Sequence, residues 1–297
     1  MNKVIVTGGC GFIGSHIVDA LVAIGHDVHV VDNLSANNDQ FYFNDGAKYH
    51  HDSICNQERM LEITKDSAFV FHLAAESRLQ LATQNPKKAI DTNINGTLSV
   101  LECCKQNNIG LIFSSTSSVY GLTDNLPITE KHIENCLNPY ASTKYAAELL
   151  IRNFYELHNV KSAILRYFNV FGERAPAFGQ YALVTSIFLN QKFKKLPLTV
   201  VGDGTQKRDF IYVKDVVSAN IECMNNINKI NHDIFNVGSG TEVSVIDLAK
   251  SISDDIIFIP KRQGEAINNL CSNEKLMSNT NWKPKVNIID WIKFQKN

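Results

Sequence analysis

The stretch KVIVTGGCGFIG at residues 3–14 decides the fold of this 297-residue chain. Its first five residues form the apolar run of a short buried strand, and its glycines lead into a segment with helical periodicity at residues 15–22. Gly8 permits a tight turn, Gly11 lets the backbone approach a pyrophosphate, and Gly14 allows a helix to pack closely on the sheet. The positive end of that helix would receive the phosphate charge. The pattern therefore predicts a dinucleotide-binding strand, turn and helix.

The residues that follow complete the unit. Gly25 ends the helix, residues 28–31 give a second strand, and Asp32 stands at its end, 18 residues beyond Gly14. A carboxylate at this place can bind the adenosine ribose, which favours NAD over NADP. The alternative is an ordinary glycine turn with an incidental acid, and the order of strand, turn, helix, strand and acid disfavours it.

Composition and charge set the broad class of the protein. With 44% hydrophobic residues, the chain can bury a large core as one big or two modest domains. Its formal net charge of −1 argues against a surface that binds nucleic acid. Seven cysteines without a Cys-x-x-Cys pair predict reduced, buried thiols in a cytoplasmic protein. No leader and no apolar run of about 20 residues is evident, so we expect no membrane partner.

Strand-like and helix-like segments alternate, as in a doubly wound parallel α/β sheet. Two helices, near residues 86–107 and 139–158, begin at the prolines Pro86 and Pro139. After about residue 168 the pattern loosens, which suits a smaller cap over the carboxyl ends of the strands. We expect strands near residues 3–7, 27–32, 48–50, 68–73, 110–115 and 161–166.

Tyr140 and Lys144 lie on the second of these helices. Four residues apart, they share one helix face, so an ammonium can sit beside a phenol and lower its pKa towards that of a general base. Such pairs also occur by chance on solvated helix faces, so the pair alone is weak support for catalysis.

Further motifs accompany this pair. They comprise HLAA at residues 72–75, N-x-x-GT at 93–97, SSTSS at 114–118, RYFNVFG at 166–172 and GDG-x-x-x-RDFIYV at 202–213. With these blocks the chain resembles the extended short-chain dehydrogenases/reductases, and it is similar to their NAD-dependent nucleotide-sugar epimerases of the UDP-glucose 4-epimerase type. The resemblance implies a Rossmann domain over residues 1–167, with a return segment near 205–228. It also implies a mainly nucleotide-sugar-binding domain over 168–297.

The resemblance also implies the roles of individual residues. Thr116, Tyr140 and Lys144 would be catalytic, and no metal is expected. The cofactor NAD would be bound by Gly8, Gly11, Phe12, Ile13, Gly14, Asp32, Asn33, Ser53, Ile54, Leu73, Ala74, Ala75, Asn93, Ser114, Tyr140, Lys144 and Phe168. The UDP-sugar would be bound by Thr116, Asn169, Val201, Arg208, Arg262, Glu265 and Asn269.

The residues after Thr116 bear on the reaction class. Related sugar dehydratases and decarboxylases carry carboxylates there, whereas this chain has Ser117 and Ser118, so the resemblance implies an epimerase that inverts C4 through a 4-keto sugar. By the resemblance, Asn269 stands where a bulky Tyr favours plain hexoses and a small residue admits N-acetyl sugars. Asn is intermediate but nearer the small side, so the resemblance implies that UDP-GlcNAc or UDP-GalNAc is accepted. The alternatives that stay open are a UDP-glucuronate epimerase, a 2-epimerase, a 4-ketoreductase and a non-catalytic NAD-binding sensor.

Three positions depart from the family or allow a second interpretation. Ser53 and Ile54 stand where the family commonly has an Asp-Ile pair beside the adenine. Asn93 could cap its helix instead of approaching the cofactor. His72 is expected to be a packed strand-end histidine instead of a base, because no acidic partner accompanies it. By resemblance, the helices near 86–107 and 139–158 would form a homodimer interface.

Overall fold

A seven-stranded parallel sheet forms the centre of the fold. The computed structural model describes residues 2–36, 40–123, 125–177, 182–260 and 268–295. The strands are β1 Lys3–Thr7, β2 Asp27–Asp32, β3 Ala47–His51, β4 Ser67–His72, β5 Gly110–Thr116, β6 Ser162–Tyr167, β7 Asn169–Phe171, β8 Leu198–Val201, β9 Lys207–Tyr212, β10 Asp233–Val237, β11 Glu242–Ser244, β12 Ile256–Ile259 and β13 Asn268–Asn269. The main sheet has the order β10-β6-β5-β4-β1-β2-β3, and all its pairings are parallel.

Helices cover both faces of this sheet, which makes it a doubly wound α/β fold of the Rossmann type. The helices are α1 Phe12–Ala23, α2 Gln57–Thr64, α3 Leu79–Gln84, α4 Pro86–Ile90, α5 Gly96–Asn107, α6 Pro139–His158, α7 Val184–Phe193, α8 Val213–Asn225, α9 Ile227–Ile230, α10 Val245–Ile252, α11 Glu274–Asn279 and α12 Ile288–Gln295. Among the described residues, no helix is long and apolar enough to cross a lipid bilayer.

The six predicted strands are confirmed to within about one residue at each end. The seventh, β10, was not predicted, because it lies beyond the point where the alternating pattern loosens. It pairs with β6 from Asp233 opposite Ala163 to Val237 opposite Tyr167. The chain therefore returns to the main sheet through α8 and β10, after contributing β7 and β9 to a smaller sheet.

The helix predicted at residues 139–158 is confirmed as α6. Asn138 caps it, since its side chain accepts a hydrogen bond from the Ala141 amide, and Pro139 occupies the first turn. Asn159 ends it in the left-handed conformation, with φ of 55°. The segment predicted at residues 86–107 is also helical, but a π-helical turn at Asp91–Asn95 joins α4 to α5.

The glycine turn is built as the sequence predicts. A Cβ atom on Gly14 would lie 2.2 Å from the carbonyl oxygen of Gly8, so only glycine fits where α1 meets the turn. Gly8 has φ of +71°, and a Cβ there would lie 2.8 Å from the Ala74 amide nitrogen. The turn therefore lies directly against the segment that follows β4.

The C-terminal part contains a small mixed sheet beside the main one. Strand β9 pairs with β7 and β13 in parallel and with β11 in antiparallel fashion, while β8 pairs with β12. A separate apolar cluster that includes Phe171, Phe188 and Trp291 holds this part together. Because β7 follows β6 after one residue, the small sheet begins at the carboxyl end of the main sheet.

Candidate active site

A cavity of about 390 Å³ lies at the carboxyl ends of the central strands. Residues that are far apart in the sequence meet there, because parallel strands end at one edge of the sheet. The predicted residues that line it are Gly8, Gly11, Phe12, Ile13, Gly14, Asp32, Asn33, Ser53, Ile54, Leu73, Ala74, Ala75, Ser114, Thr116, Tyr140, Lys144, Phe168 and Asn169.

Asp32 is fixed at one end of this cavity by two backbone amides. Its Oδ2 accepts a hydrogen bond from the Cys10 amide at 3.0 Å, and its Oδ1 accepts one from the Leu34 amide at 2.9 Å. These bonds hold the carboxylate beside the glycine turn, in the position from which an acid can accept ribose hydroxyls.

Lys144 also lines the cavity and is only 3% exposed. Its ammonium nitrogen lies 4.0 Å from the centre of the Phe113 ring, a cation–π contact. Burial lowers the pKa of Lys144 to about 7, although the nearby Glu148 carboxylate opposes the change. No side chain in the described ranges accepts a hydrogen bond from this ammonium, so a ligand hydroxyl would fit against it.

Tyr140 and Thr116 line the same cavity. Burial raises the pKa of Tyr140, whereas a hydrogen bond with Thr116 and the charge of Arg78 act in the opposite direction. The Thr116 hydroxyl donates to Ser118 Oγ at 3.0 Å and accepts from the Ser118 amide at 3.1 Å. The phenol, the hydroxyl and the ammonium of Lys144 thus face one space.

A buried ionic network beneath Lys144 was not predicted from the sequence. Arg166 is fully buried, and its guanidinium donates to the Glu148 carboxylate at 2.5, 3.1 and 3.2 Å. It also donates to Glu134 at 2.6 Å. The Ser115 hydroxyl, from the wall of the cavity, donates to Glu148. The available signal was the spacing of Glu148, four residues after Lys144 on α6.

His72 is a packed strand-end residue, as expected. Its Nδ1 bonds the Thr7 hydroxyl at 2.7 Å, and its Nε2 bonds the Thr97 hydroxyl at 3.0 Å. Burial lowers the pKa of His72 to about 3, and the neighbouring charge of Lys144 adds to this effect. The histidine therefore stays neutral near pH 7.

Asn93 does not line the cavity in which most of the predicted cofactor residues meet. Its amide exchanges hydrogen bonds with the backbone of Glu76, at 2.8 and 3.1 Å, and donates to the Thr143 hydroxyl at 2.9 Å. It is 1% exposed. Asn93 therefore joins the segment after β4 to helix α6, next to Lys144.

The segment after β4 contributes residues that sequence reasoning missed. Glu76, Ser77 and Arg78 line the cavity, and so does Lys88 from α4. Glu76 is 4% exposed and forms an ion pair with Lys88 at 2.9 Å. Their position directly after the predicted Leu73-Ala74-Ala75 run was the signal that could have identified them.

Apart from Thr116, the predicted substrate residues divide into three groups. Asn169 lines the cavity, and its amide donates to the Asp209 carbonyl at 2.7 Å and to Asn269 Oδ1 at 3.3 Å. Val201 in β8, Arg208 in β9 and Asn269 in β13 do not line it. Asn269 Oδ1 also accepts from the Asp209 amide at 3.0 Å. Arg262 and Glu265 lie outside the described residues.

Asp209 is a further buried residue that the sequence did not single out. It is fully buried, and its carboxylate accepts hydrogen bonds from the Ser239 amide, the Gly240 amide and the Cys271 amide at 2.7 to 3.0 Å. It fixes the turn after β10 against β9, beside Arg208.

All seven cysteines are free thiols. Five are buried, but the expectation that all would be buried was wrong for Cys55, which is exposed, and for Cys136, which is partly exposed. Cys55 follows Ile54 in the turn before α2, where the chain passes over the surface.

The donor set fits a dinucleotide such as NAD. The glycine turn leaves open backbone beside a helix N-terminus, Asp32 offers carboxylate oxygens, and Lys144 presents a buried ammonium. The walls between them are formed by small or apolar side chains such as Ala74 and Ile54, which leave room for flat rings. Within the described part of the chain, no cluster of side chains suited to a metal ion is present.

Comparisons with known proteins agree with this geometry. The sequence model of the "NAD dependent epimerase/dehydratase family" matches residues 4–238. A Methanocaldococcus jannaschii protein, provisionally named UDP-glucose 4-epimerase, is 37% identical over 98% of this chain and 96% of its own length. The Thermotoga maritima UDP-glucose 4-epimerase, solved with UDP-glucose, is 33% identical, with a TM-score of 0.93 and 99% of both chains covered. A Bacillus cereus UDP-glucuronic acid 4-epimerase, solved with UDP-glucuronic acid and NAD, is 27% identical, with a TM-score of 0.89 over 98% of this chain and 96% of its own.

Proposed function

The chain belongs to the NAD dependent epimerase/dehydratase family, and we propose that it inverts C4 of a UDP-hexose, using NAD as a resident cofactor. The observation that carries this proposal is the meeting of Thr116, Tyr140 and Lys144 in one cavity with the glycine turn. UDP-glucose and UDP-galactose are the first substrates to consider, followed by their N-acetyl counterparts.

The residues that would hold NAD span the length of the cavity. Asp32 would accept the adenosine ribose hydroxyls, and the turn Gly8–Gly14 would receive the pyrophosphate at the start of α1. Lys144 would donate to the nicotinamide ribose hydroxyls, and Phe168 would border the ring. When bound, NAD supplies a hydride acceptor that takes the hydrogen from C4 of the sugar and later returns it.

Tyr140 would move the proton that accompanies this transfer. As phenolate, it takes the proton of the C4 hydroxyl while C4 becomes a carbonyl, and it gives the proton back when the carbonyl is reduced on its opposite face. The charged Lys144 lowers the cost of the phenolate, and Thr116 orients the sugar oxygen by hydrogen bonding. The sugar is unchanged in oxidation state at the end.

The residues after Thr116 support an epimerase over a dehydratase or decarboxylase. The Ser118 oxygen accepts a hydrogen bond from the Thr116 hydroxyl at 3.0 Å, and a serine hydroxyl cannot act as a carboxylic acid near neutral pH. The carboxylate of Glu76 lines the cavity but is paired with Lys88. Further proton transfers at C5 or C6 therefore lack a suitable acid after Thr116.

The decisive experiment uses the purified protein without added cofactor. UDP-glucose, UDP-galactose, their N-acetyl forms and sugars carried on dTDP and GDP are incubated separately, and C4 inversion is followed by NMR. We expect interconversion of at least one UDP pair. Consumption of added NADH with a UDP-4-keto sugar, without interconversion, would instead identify a reductase.

UDP-glucuronate is the second candidate substrate, and Arg78 favours it. This cation lines the cavity close enough to Tyr140 to affect the phenol, so a carboxylate at C6 of the sugar would meet it. We expect Arg78→Gln to reduce kcat/KM for UDP-glucuronate by about 10-fold or more, with a smaller effect on UDP-glucose. Equal losses for both sugars would assign Arg78 to the cofactor or the fold instead.

We also propose a cytoplasmic homodimer. Free thiols suit a reducing compartment. Leu98 on α5 and Leu149 on α6 are 39% and 45% exposed, as expected of side chains that a second copy of these helices would cover. Sedimentation equilibrium of the wild type and of Leu149→Lys tests this, since a charge at the interface should yield monomers.

A further inference from the structure

We propose that Glu148 is a positioning residue that keeps Lys144 charged beside Tyr140. The inference rests on the proposed function and extends it to a residue that does not touch the cavity ligands. Four observations on the packing of α6 carry it.

The first is the place of Glu148 on α6. It follows Lys144 by one helical turn, so both side chains lie on the face that covers β5. Lys144 and Glu148 are each 3% exposed. A buried ammonium needs a compensating charge nearby, and Glu148 is the carboxylate that acts on it.

The second is the way Glu148 is restrained. Arg166 on β6 holds both carboxylate oxygens of Glu148, and the Ser115 hydroxyl on β5 holds one of them. Glu134 holds the far side of Arg166 at 2.6 Å. Because both carboxylate oxygens of Glu148 are hydrogen-bonded to Arg166, the side chain cannot rotate to form a direct ion pair with Lys144. The ammonium of Lys144 therefore stays in the cavity.

The third is the alternation along β5. Phe113 and Ser115 point to the same side of the strand, and they contact Lys144 and Glu148 respectively. Two residues of β5 that are two positions apart therefore hold the side chains of Lys144 and Glu148. The next residue, Thr116, reaches the reacting end of the cavity.

The fourth is the set of charges that face Lys144 from the surrounding elements. His72 on β4 is neutral because burial lowers its pKa. The charge of Arg78, before α3, acts on Tyr140, which lies one turn before Lys144 on α6. Arg166 is held by Glu134 as well as by Glu148. Glu76 also lines the cavity but is paired with Lys88, and among the charged groups of the described residues Glu148 is the one whose charge acts on the ammonium of Lys144.

The test is the pH dependence of turnover in Glu148→Gln. Without Glu148 the ammonium of Lys144 should lose its proton at lower pH, and the Tyr140 phenolate, without a charged neighbour, should form at higher pH, so the kcat/KM profile should narrow by about one unit at each limb. Glu148→Asp retains the charge and should retain the profile. Ser115→Ala removes one hydrogen bond but no charge, and it serves as the matched control.

A purely structural role would lower kcat at every pH without moving the profile, and that result would overturn the proposal. In Glu148→Gln the buried positive charge of Arg166 keeps fewer negative charges beside it. The double variant Glu148→Gln/Arg166→Met, which removes both charges, is therefore measured as well. It should show the same narrowing of the profile to a smaller extent.

A second readout separates this proposal from the proposed reaction. Tyrosinate absorbance is titrated in the NAD-bound wild type and in Tyr140→Phe, and the difference isolates Tyr140 without any sugar. Glu148→Gln should raise the apparent pKa of this titration by about one unit, because a neutral Lys144 no longer stabilises the phenolate. An unchanged titration would contradict the role of Glu148 even if the enzyme acts on another substrate. Absent turnover with a shifted titration would contradict the substrate assignment alone.

Discussion

The ammonium nitrogen of Lys144 lies 4.0 Å from the centre of the Phe113 ring, which belongs to the neighbouring strand β5. The contact places a cation in an apolar wall, where its charge acts strongly on any phenolate nearby. Tyr140 lies one helical turn before Lys144, and its side chain lines the same cavity. The strand and the helix together therefore hold a buried ammonium in the wall of the cavity.

Replacing Tyr140 by phenylalanine should abolish turnover while preserving NAD binding, because only the proton-transfer group is removed. We expect kcat to fall by roughly 10²- to 10⁴-fold. Steady-state kinetics and calorimetric titration with NAD measure the two effects. Substantial remaining turnover would contradict the assigned role.

Gly14→Ala should impair both folding and NAD binding, whereas Gly11→Ala should impair NAD binding alone. A Cβ at Gly14 would lie 2.2 Å from the Gly8 carbonyl oxygen, but a Cβ at Gly11 would lie 3.5 Å from it, an ordinary contact. The Gly11 methyl group would instead occupy the space of the pyrophosphate. Thermal unfolding without ligand and NAD affinity are measured for both variants, and unaltered NAD affinity in Gly11→Ala would argue against this binding mode.

His72 should make the protein less stable towards acid. The pKa of His72 is 6.5 in the unfolded chain and about 3 in the folded protein. Between these pH values the unfolded state binds a proton at His72 and the folded state does not. The contribution of neutral, buried His72 to the free energy of unfolding is therefore fully present above pH 6.5, and it is lost as the pH falls from there towards 3. Between pH 7 and pH 5 the loss is about 2 kcal/mol of unfolding free energy.

Urea unfolding of His72→Gln at these two pH values tests the assignment, since the variant should have a shallower pH dependence. His158→Gln, at an exposed histidine, is the control and should keep the slope of the wild type. Identical slopes for wild type and His72→Gln would remove His72 as the cause.

Asn269→Tyr should shift the preference from UDP-GlcNAc towards UDP-glucose, if Asn269 borders the C2 substituent. The variant also removes the hydrogen bonds of Asn269 Oδ1 with Asp209 and Asn169. Asn269→Leu removes the same bonds without a ring, so it controls for the loss of stability. Competition assays with both sugars give the ratio of their kcat/KM values. An unchanged ratio in Asn269→Tyr would contradict the hypothesis that Asn269 borders the C2 substituent.

The parts of the fold that were predicted correctly are those encoded by local patterns in the sequence. The glycine turn, Asp32 and the pair Tyr140 and Lys144 depend on spacings within one strand, turn or helix, and the sequence reveals such spacings directly. The same holds for α6, whose start is encoded by Asn138 and Pro139. The approximate positions of six strands followed from the alternation of apolar and helical segments.

Tertiary structure alone decided how these parts are supported. Ser115 bonds Glu148 across 33 residues, and Arg166 bonds Glu134 across 32, so no periodic pattern joins them. The pairing of β10 with β6 and the role of Asn93 in joining two segments likewise depend on which elements become neighbours in space. The sequence by itself determined which groups are available for chemistry. The packing of β4, β5, β6 and α6 decided their burial, and burial is what changes the pKa values of Lys144, Tyr140 and His72.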